Sequence, residues 1–189
     1  MIQINYEGLD SKMTAVAQKV NILFRSADFY DLIRKHKKFD MANVPPAWIA
    51  DILEFTDMDI SLDFYYSIHP FSKAIVYDDA KDLNVIKLNK WNLNKPEEVL
   101  CNAIIHQCVH AVNAAHPQYS FGHGDDGIEG KQNTAPVWIA DLAQKILSGE
   151  SVIREVIQHE EICDYSSVSS MVLQVRLQNS TWFQTYLTA

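Results

Sequence analysis

The segment between Pro96 and Pro117 constrains the fold of this chain more than any other. Pro96 suits the first position of a helix, and the acidic side chains of Glu97 and Glu98 favour the positive end of the helix dipole. Pro117 ends the helix, because its ring cannot continue the backbone hydrogen bonds. The sequence therefore predicts a helix that ends at about Ala115.

This helix carries two different stripes of side chains. One stripe is mostly apolar, and a neighbouring stripe holds Ala103, His106 and His110. We therefore expect one side of the helix to be covered and another to line a cleft, with Cys108 in the core. The apolar stripe consists of Leu100, Ile104, Cys108, Ala111 and Ala115.

The cleft side of the helix has the spacing of a metal site. Histidines four residues apart on a helix point the same way, so His106 and His110 can both bind one zinc ion at about 2.0–2.1 Å. In hydrolytic sites of this kind the residue after the first histidine is a general base. Gln107 holds that position, and an amide has almost no proton affinity. Loss of a general base typically costs about 10²–10⁴ in rate.

The same residues resemble a known family. The stretch "HQCVH" is similar to the HExxH motif of zincin metallopeptidases, with Gln107 in place of the glutamate. In the SprT-like and related minimal zincins, a strand similar to "NVIKLN" and an acidic helix start similar to "NKPEEVL" precede the metal helix. A later His-Gly element supplies the third ligand, and "FGHGDD" resembles it. The resemblance covers residues 74–126.

The resemblance implies a zincin-like α+β fold that hydrolyses peptide bonds. The metal would be Zn²⁺, held by His106, His110 and His123, and the substrate would be a peptide or protein. Strand 84–89 would hold the substrate backbone in extended form. With Gln107 at the general-base position, the chain as written is expected to be inactive.

A second zincin subfamily offers a rival third ligand. The stretch "HQCVHAVNAAH" is similar to the metzincin motif HExxHxxGxxH, with Asn113 in place of the glycine and His116 as the third histidine. Asparagine is the best substitute for glycine in a left-handed turn. Residues 167–171, which end at Met171, would then form the methionine turn. No helix break precedes Pro117, however, so His123 is favoured over His116.

Several other polar residues have weaker claims to a role. The loop acids would be ordinary loop residues, partners of a ligand ring, or ligands themselves; they are Asp125, Asp126 and Glu129. Three groups near the end of the chain could stabilise an oxyanion, although their spacing selects none of them; they are His159, Tyr165 and Arg176. The remaining histidines, His36 and His69, are interpreted as structural.

The rest of the chain predicts a single domain of residues 1–189. Helical spacing is found over 11–24, after Ser26, over 46–55, and over 136–147. Alternation over 60–66 predicts a strand, and two shorter strands follow at 73–77 and 84–89, so we expect a small antiparallel sheet. A further helix is predicted over 152–162, whereas 166–177 fits either a strand or a helix. The predicted parts are N-terminal helices (1–56), a sheet (58–90), the metal helix and loop (95–133), and a C-terminal helical part (135–189).

Composition narrows the classes of partner. The net charge of −8 disfavours nucleic acid and anionic membranes as partners, and no apolar run is long enough to cross a membrane. The three cysteines are an odd and sparse set that does not suggest a disulfide framework. We therefore expect a reducing, cytoplasmic location.

Three classes of function remain open at this point. The chain is a zinc peptidase whose glutamate was replaced at position 107, a natural zinc-binding pseudoenzyme that binds peptides or proteins, or a protein with no metal whose histidines are incidental. The first two classes share a fold and a metal. They differ only in the residue that the natural gene carries at position 107.

Overall fold

Helices and a small sheet form the fold in a computed structural model that describes residues 1–68, 76–77, 82–123 and 130–150. These residues all lie in one compact unit, Met1–Val152. The elements are β1 (Ile2–Asn5), α1 (Ser11–Phe24), α2 (Ala27–Arg34), α3 (Pro46–Phe55), β2 (Met58–Tyr65), β3 (Val76–Tyr77), β4 (Val85–Asn89), a short 3-10 helix (Lys90–Asn92), α4 (Glu97–Ala115) and α5 (Ala135–Leu147). The predicted helix 152–162 and the segment 166–177 lie outside the described residues.

Local features of the sequence explain where helices α1 and α3 begin. The Asp10 carboxylate accepts hydrogen bonds from the backbone N–H groups of Lys12 and Met13, at 2.9 and 3.2 Å, so α1 begins at Ser11. Helix α3 begins at Pro46, whose fixed φ suits the first turn. Ser26 does precede α2, but its side chain forms no capping hydrogen bond.

The sheet is mainly parallel, so the predicted antiparallel sheet was wrong. Its strand order is β1-β2-β4-β3, in which β1 and β4 both run parallel to β2, and only β3 runs antiparallel to its neighbour β4. The prediction relied on the alternation in β2, where Ile60 and Leu62 are buried and Ser61 is exposed. Such alternation reports one covered face, which is commoner in antiparallel sheets but does not fix strand direction.

Strand β1 was missed because it lies in a region predicted to contain only helices. Ile4 on this strand is buried and pairs with Ile60 on β2. The backbone of Ile4 is also held by the Asn21 side chain of α1, which accepts from the Ile4 N–H at 2.7 Å and donates to its carbonyl at 2.9 Å. Three helices separate β1 from β2, and a crossover of this length is what parallel pairing requires.

Strand β4 is not the free edge of the sheet along its whole length. Residues Val85–Asn89 pair with β2 on one side, and Lys87 and Leu88 pair with β3 on the other. The backbone groups at Lys87 and Leu88 are therefore already paired. At these two residues the outer edge belongs to β3, and the expectation that strand 84–89 holds a substrate backbone stays a prediction.

Helix α4 is covered over a wider arc than its apolar stripe predicts. It packs against α1, α3 and α5, and its buried residues are Leu100, Cys101, Ile104, Ile105, Cys108, Val109, Ala111 and Val112. The prediction that Cys108 belongs to the core is confirmed, whereas Ala115 at the end of the stripe is exposed. None of the helices within the described ranges combines the length and apolarity needed to cross a membrane.

Removal of a buried side chain from the central strand tests this architecture. Ile60 is fully buried and lies on β2, the strand between β1 and β4, so Ile60→Ala is expected to lower the free energy of unfolding by about 2–5 kcal/mol. Urea unfolding measures this change. Ile68→Ala is the control, because Ile68 is 94% exposed and its loss should change stability by less than about 0.5 kcal/mol. Equal losses in the two variants would contradict the described sheet.

Candidate metal centre

Three histidines from two segments converge at one point beside α4. His106 and His110 lie one turn apart on the helix, and His123 lies on the loop that follows it. The Nε2 atom of His123 is 3.1 Å from the Nε2 of His110 and 3.1 Å from the Nε2 of His106. Each ring offers one ligand atom within 4.8 Å of the others, so the cluster could hold a metal ion.

The spacing of these nitrogens fits a tetrahedral ion. With metal–nitrogen bonds of about 2.0–2.1 Å, two tetrahedral ligands are about 3.3 Å apart, close to the two separations of 3.1 Å. The three rings are also inclined to one another, with interplanar angles of 51° to 85°. Nitrogens that approach along inclined rings can direct their lone pairs to one shared point. The residues present therefore fit a three-histidine metal site.

The electrostatics of the cluster keep His106 neutral. Burial, together with the nearby His110 and His123, lowers its pKa from 6.5 to about 3, whereas a hydrogen bond to the backbone of Pro136 acts in the opposite direction. Only a neutral imidazole has a free lone pair for a metal. His106 can therefore act as a ligand without first losing a proton at neutral pH.

The loop that carries His123 is tied to α4 by Asn113. The Asn113 side-chain oxygen accepts from the backbone N–H groups of Phe121 and Gly122, at 3.1 and 2.7 Å. Its side-chain nitrogen donates to the carbonyl of Tyr119 at 2.9 Å. One amide thus bonds three backbone groups in the four residues that precede His123.

Two further residues hold the same loop from other segments. Asn43 and Ser120 exchange two hydrogen bonds of 2.8 Å, one from the backbone N–H of Asn43 and one to its side-chain oxygen. The Lys131 ammonium donates to the carbonyl of His123 at 2.9 Å. Phe121 is fully buried and anchors the loop in the core. The backbone from residue 119 to residue 123 is therefore fixed on both sides.

The rival ligand, His116, lies outside the cluster. Helix α4 continues without a break to Ala115, and His116 is its C-terminal cap. The Nδ1 of His116 lies 2.9 Å from the carbonyl of Val112, where it can donate a hydrogen bond. Asn113 lies within the regular helix and does not adopt the left-handed conformation that the metzincin comparison suggested for it.

Gln107 lies on α4 directly after His106 and is half-buried. The other predicted groups near the metal lie outside the described residues; they are Asp125, Asp126, Glu129, His159, Tyr165, Arg176 and Met171. His69 also lies outside them.

His36 has a structural setting: its ring is 4.3 Å from the rings of Phe39 and Trp138, and its Nε2 is 2.9 Å from the Asn133 side-chain oxygen.

Sequence reasoning missed the residues that support the loop. The sequence motif includes Asn113 only in place of a glycine, and no motif includes Asn43 or Lys131. All three act on backbone groups of the loop, and such contacts depend on how distant segments meet. The only local signal is the position of Asn113, three residues after His110 on the same side of the helix.

Acidification should destabilise the metal-free protein through His106. Because its folded-state pKa of about 3 lies below the unfolded value of 6.5, the unfolded chain binds a proton that the folded protein excludes. The free energy of unfolding should therefore fall as the pH decreases from 6.5 towards 3. Urea unfolding at several pH values, with a chelator present, measures this slope. His106→Gln should make it shallower, and an unchanged slope in that variant would contradict the assignment.

Substitution of the two rival histidines tests which one completes the cluster. His123→Ala should greatly weaken the binding of a divalent metal, because it removes the Nε2 that lies 3.1 Å from both helix ligands. His116→Ala is the matched control and should bind metal as the parent does. Competition with a chromophoric chelator measures both affinities. Loss of metal only in His116→Ala would reverse the assignment.

Comparison with known proteins adds no assignment to this geometry. No protein-family model, curated protein or solved structure matches the chain. A function for the three-histidine cluster therefore rests on the residues that form it.

Proposed function

We propose that this domain is a zinc-dependent, peptidase-like protein of the zincin type, with its general base replaced by Gln107. The observation that carries the proposal is the convergence of the three histidine Nε2 atoms beside the residue at the general-base position. As written, the chain is expected to bind zinc and a peptide and to hydrolyse the peptide extremely slowly. The cleaved substrate class would be peptide bonds in peptides or proteins.

The donor set supports zinc as the metal. Imidazole nitrogens suit zinc, and three protein ligands with one open position are typical of catalytic zinc sites, whereas structural zinc sites usually have four protein ligands. In the described ranges the cluster consists of three histidines and contains no fourth protein ligand. His106 and His110 are only half-buried, so both side chains keep some contact with solvent.

In the proposed hydrolysis, the metal and helix α4 would have different tasks. When bound, zinc would supply a Lewis acid that makes a water acidic near neutral pH and polarises a peptide carbonyl. The chain supplies His106 and His110 at a fixed spacing and places residue 107 next to them. A glutamate at 107 could take up a proton there, whereas the Gln107 amide can only donate or accept hydrogen bonds.

A peptide is also the partner that best suits the rest of the described chain. A net charge of −8 opposes binding to nucleic acid, so the proposed partners exclude nucleic acid. Among the described strands, β3 is the outermost beside β4, and an extended peptide would add a strand at its outer edge. Cys101 and Cys108 are buried free thiols, which suits the reducing cytoplasm that we propose as the location.

A second function is favoured by Gln107 itself. If the natural gene encodes glutamine at this position, the domain is a zinc-binding pseudoenzyme that retains the site to bind a peptide or protein. Zinc affinity and fold would be the same in both cases. The two functions differ only in whether a base at position 107 restores hydrolysis.

Introduction of a base at position 107 tests the proposal. Gln107→Glu should raise the rate of peptide cleavage by about 10²–10⁴, because a carboxylate can take the proton that an amide cannot. The two side chains are nearly the same size, so the fold and zinc content should not change. A broad peptide library, incubated with each form with and without a chelator, measures the effect.

The matched control is the double variant Gln107→Glu/His110→Ala, which has the base but lacks one proposed ligand. Cleavage by Gln107→Glu that the chelator and the second substitution both abolish would support an arrested peptidase. Equal cleavage by the parent and by Gln107→Glu would show that another group takes the proton. Zinc binding without cleavage in either form would favour the pseudoenzyme, and absence of zinc from the parent would overturn both proposals.

A further inference from the structure

We infer that Asn113 is the positioning residue of the metal site, and that it sets the place of His123 through the backbone of the loop. The inference rests on the proposed role of the three histidines as metal ligands. The Asn113 amide bonds backbone groups of the loop and supplies none of the three imidazole nitrogens of the cluster. Its proposed role is to prepare the third ligand before a metal binds.

The hydrogen bonds of Asn113 are concentrated just before the third ligand. Its oxygen accepts from Phe121 and Gly122, and its nitrogen donates to Tyr119, so one amide uses both of its ends on the loop. Gly122 is the residue that immediately precedes His123. A displacement of the Gly122 backbone would therefore also displace the imidazole of His123.

Asn113 differs from the other supports of the loop in the element that carries it. Asn43 precedes α3 and Lys131 follows the loop, whereas Asn113 lies on α4, three residues after His110. Residues three apart on a helix are neighbours on its surface. Asn113 therefore fixes the loop relative to the same rigid helix that carries the two other ligands.

The close approach of the loop to α4 depends on the lack of a side chain at Gly122. A Cβ atom at this position would lie 3.1 Å from the Asn113 oxygen and 3.5 Å from the Nδ1 of His110. Even a methyl group would thus press on the Asn113 amide. The glycine and the asparagine form one contact between the loop and the ligand helix.

Loss of Asn113 should weaken metal binding without removal of any ligand. The N–H groups of Phe121 and Gly122 would lose their acceptor, and the loop would relax until water could bond them. Loss of outer partners of metal ligands typically costs about 10–100-fold in affinity. We expect a loss of this size for Asn113→Ala.

The matched control is Asn21→Ala. Asn21 also uses both ends of its amide on backbone groups, those of Ile4, but it ties α1 to β1 and makes no contact with the loop. Zinc affinity by chelator competition and melting temperature are measured for the parent and both variants. The visible spectrum of the Co²⁺-substituted protein is the third measurement, because it reports the number and geometry of the ligands. His123→Ala supplies the spectrum of a site without the third histidine.

The expected result is that Asn113→Ala binds zinc about 10–100-fold more weakly and that its Co²⁺ spectrum shifts towards that of His123→Ala. Asn21→Ala should lower the melting temperature and leave affinity and spectrum unchanged. If Asn113→Ala keeps the affinity and spectrum of the parent, or if the two asparagine variants lose affinity equally, the inference is wrong.

If Asn113→Ala does not fold, Gly122→Ala tests the same contact from the loop side. It should weaken zinc binding in the same direction, and parent-like affinity would overturn the inference. The proposed function fails in a different way. A parent protein that binds neither Zn²⁺ nor Co²⁺ removes the metal site altogether, whereas a parent that binds both, with Asn113→Ala unchanged, removes only the role of Asn113.

Discussion

Helix α4 packs against α1, α3 and α5 and buries eight of its nineteen residues, whereas His106, His110 and Asn113 lie on a half-buried part of its surface. Close packing on several sides leaves a helix little freedom to shift or bend. The distance between the two helix histidines is therefore set by the core and needs no metal to define it. The loop that carries His123 is hydrogen-bonded to this part of α4 through Asn113. The geometry of the cluster therefore depends on the packing of one helix.

The cluster brings three imidazole rings together in a partly buried setting. Burial and the two neighbouring histidines both disfavour the protonated form of His106. Its pKa is lowered for these two reasons. Neutral imidazole rings whose nitrogens lie close together can form hydrogen bonds with one another or bind one cation between them. The second arrangement uses all three lone pairs at once, and this is the physical reason that a three-histidine cluster suits a metal ion.

Much of the helical structure could be predicted from local chemistry, because Pro46 and Pro96 mark the starts of helices without reference to the rest of the chain. The spacing of His106 and His110 placed them on one side of α4 for the same reason. The direction of the strands could not be predicted, because the alternation in β2 is the same for parallel and antiparallel neighbours and β1 is only four residues long. The prediction that His123 is the third ligand rested on a family resemblance. The role of Asn113 could not be predicted, because it depends on how the loop folds back onto the helix.

The hydrogen bonds that hold the loop before His123 go to its main chain, and the buried ring of Phe121 adds one side-chain anchor. Asn113 and Asn43 bond the peptide groups of Tyr119, Ser120, Phe121 and Gly122, and the side chain of Ser120 is exposed. Backbone bonds of this kind are indifferent to the identity of an exposed side chain. Evolution, or a protein engineer, can therefore diversify the outward-facing surface of this loop to alter what is recognised there while the ligand beside it stays in place.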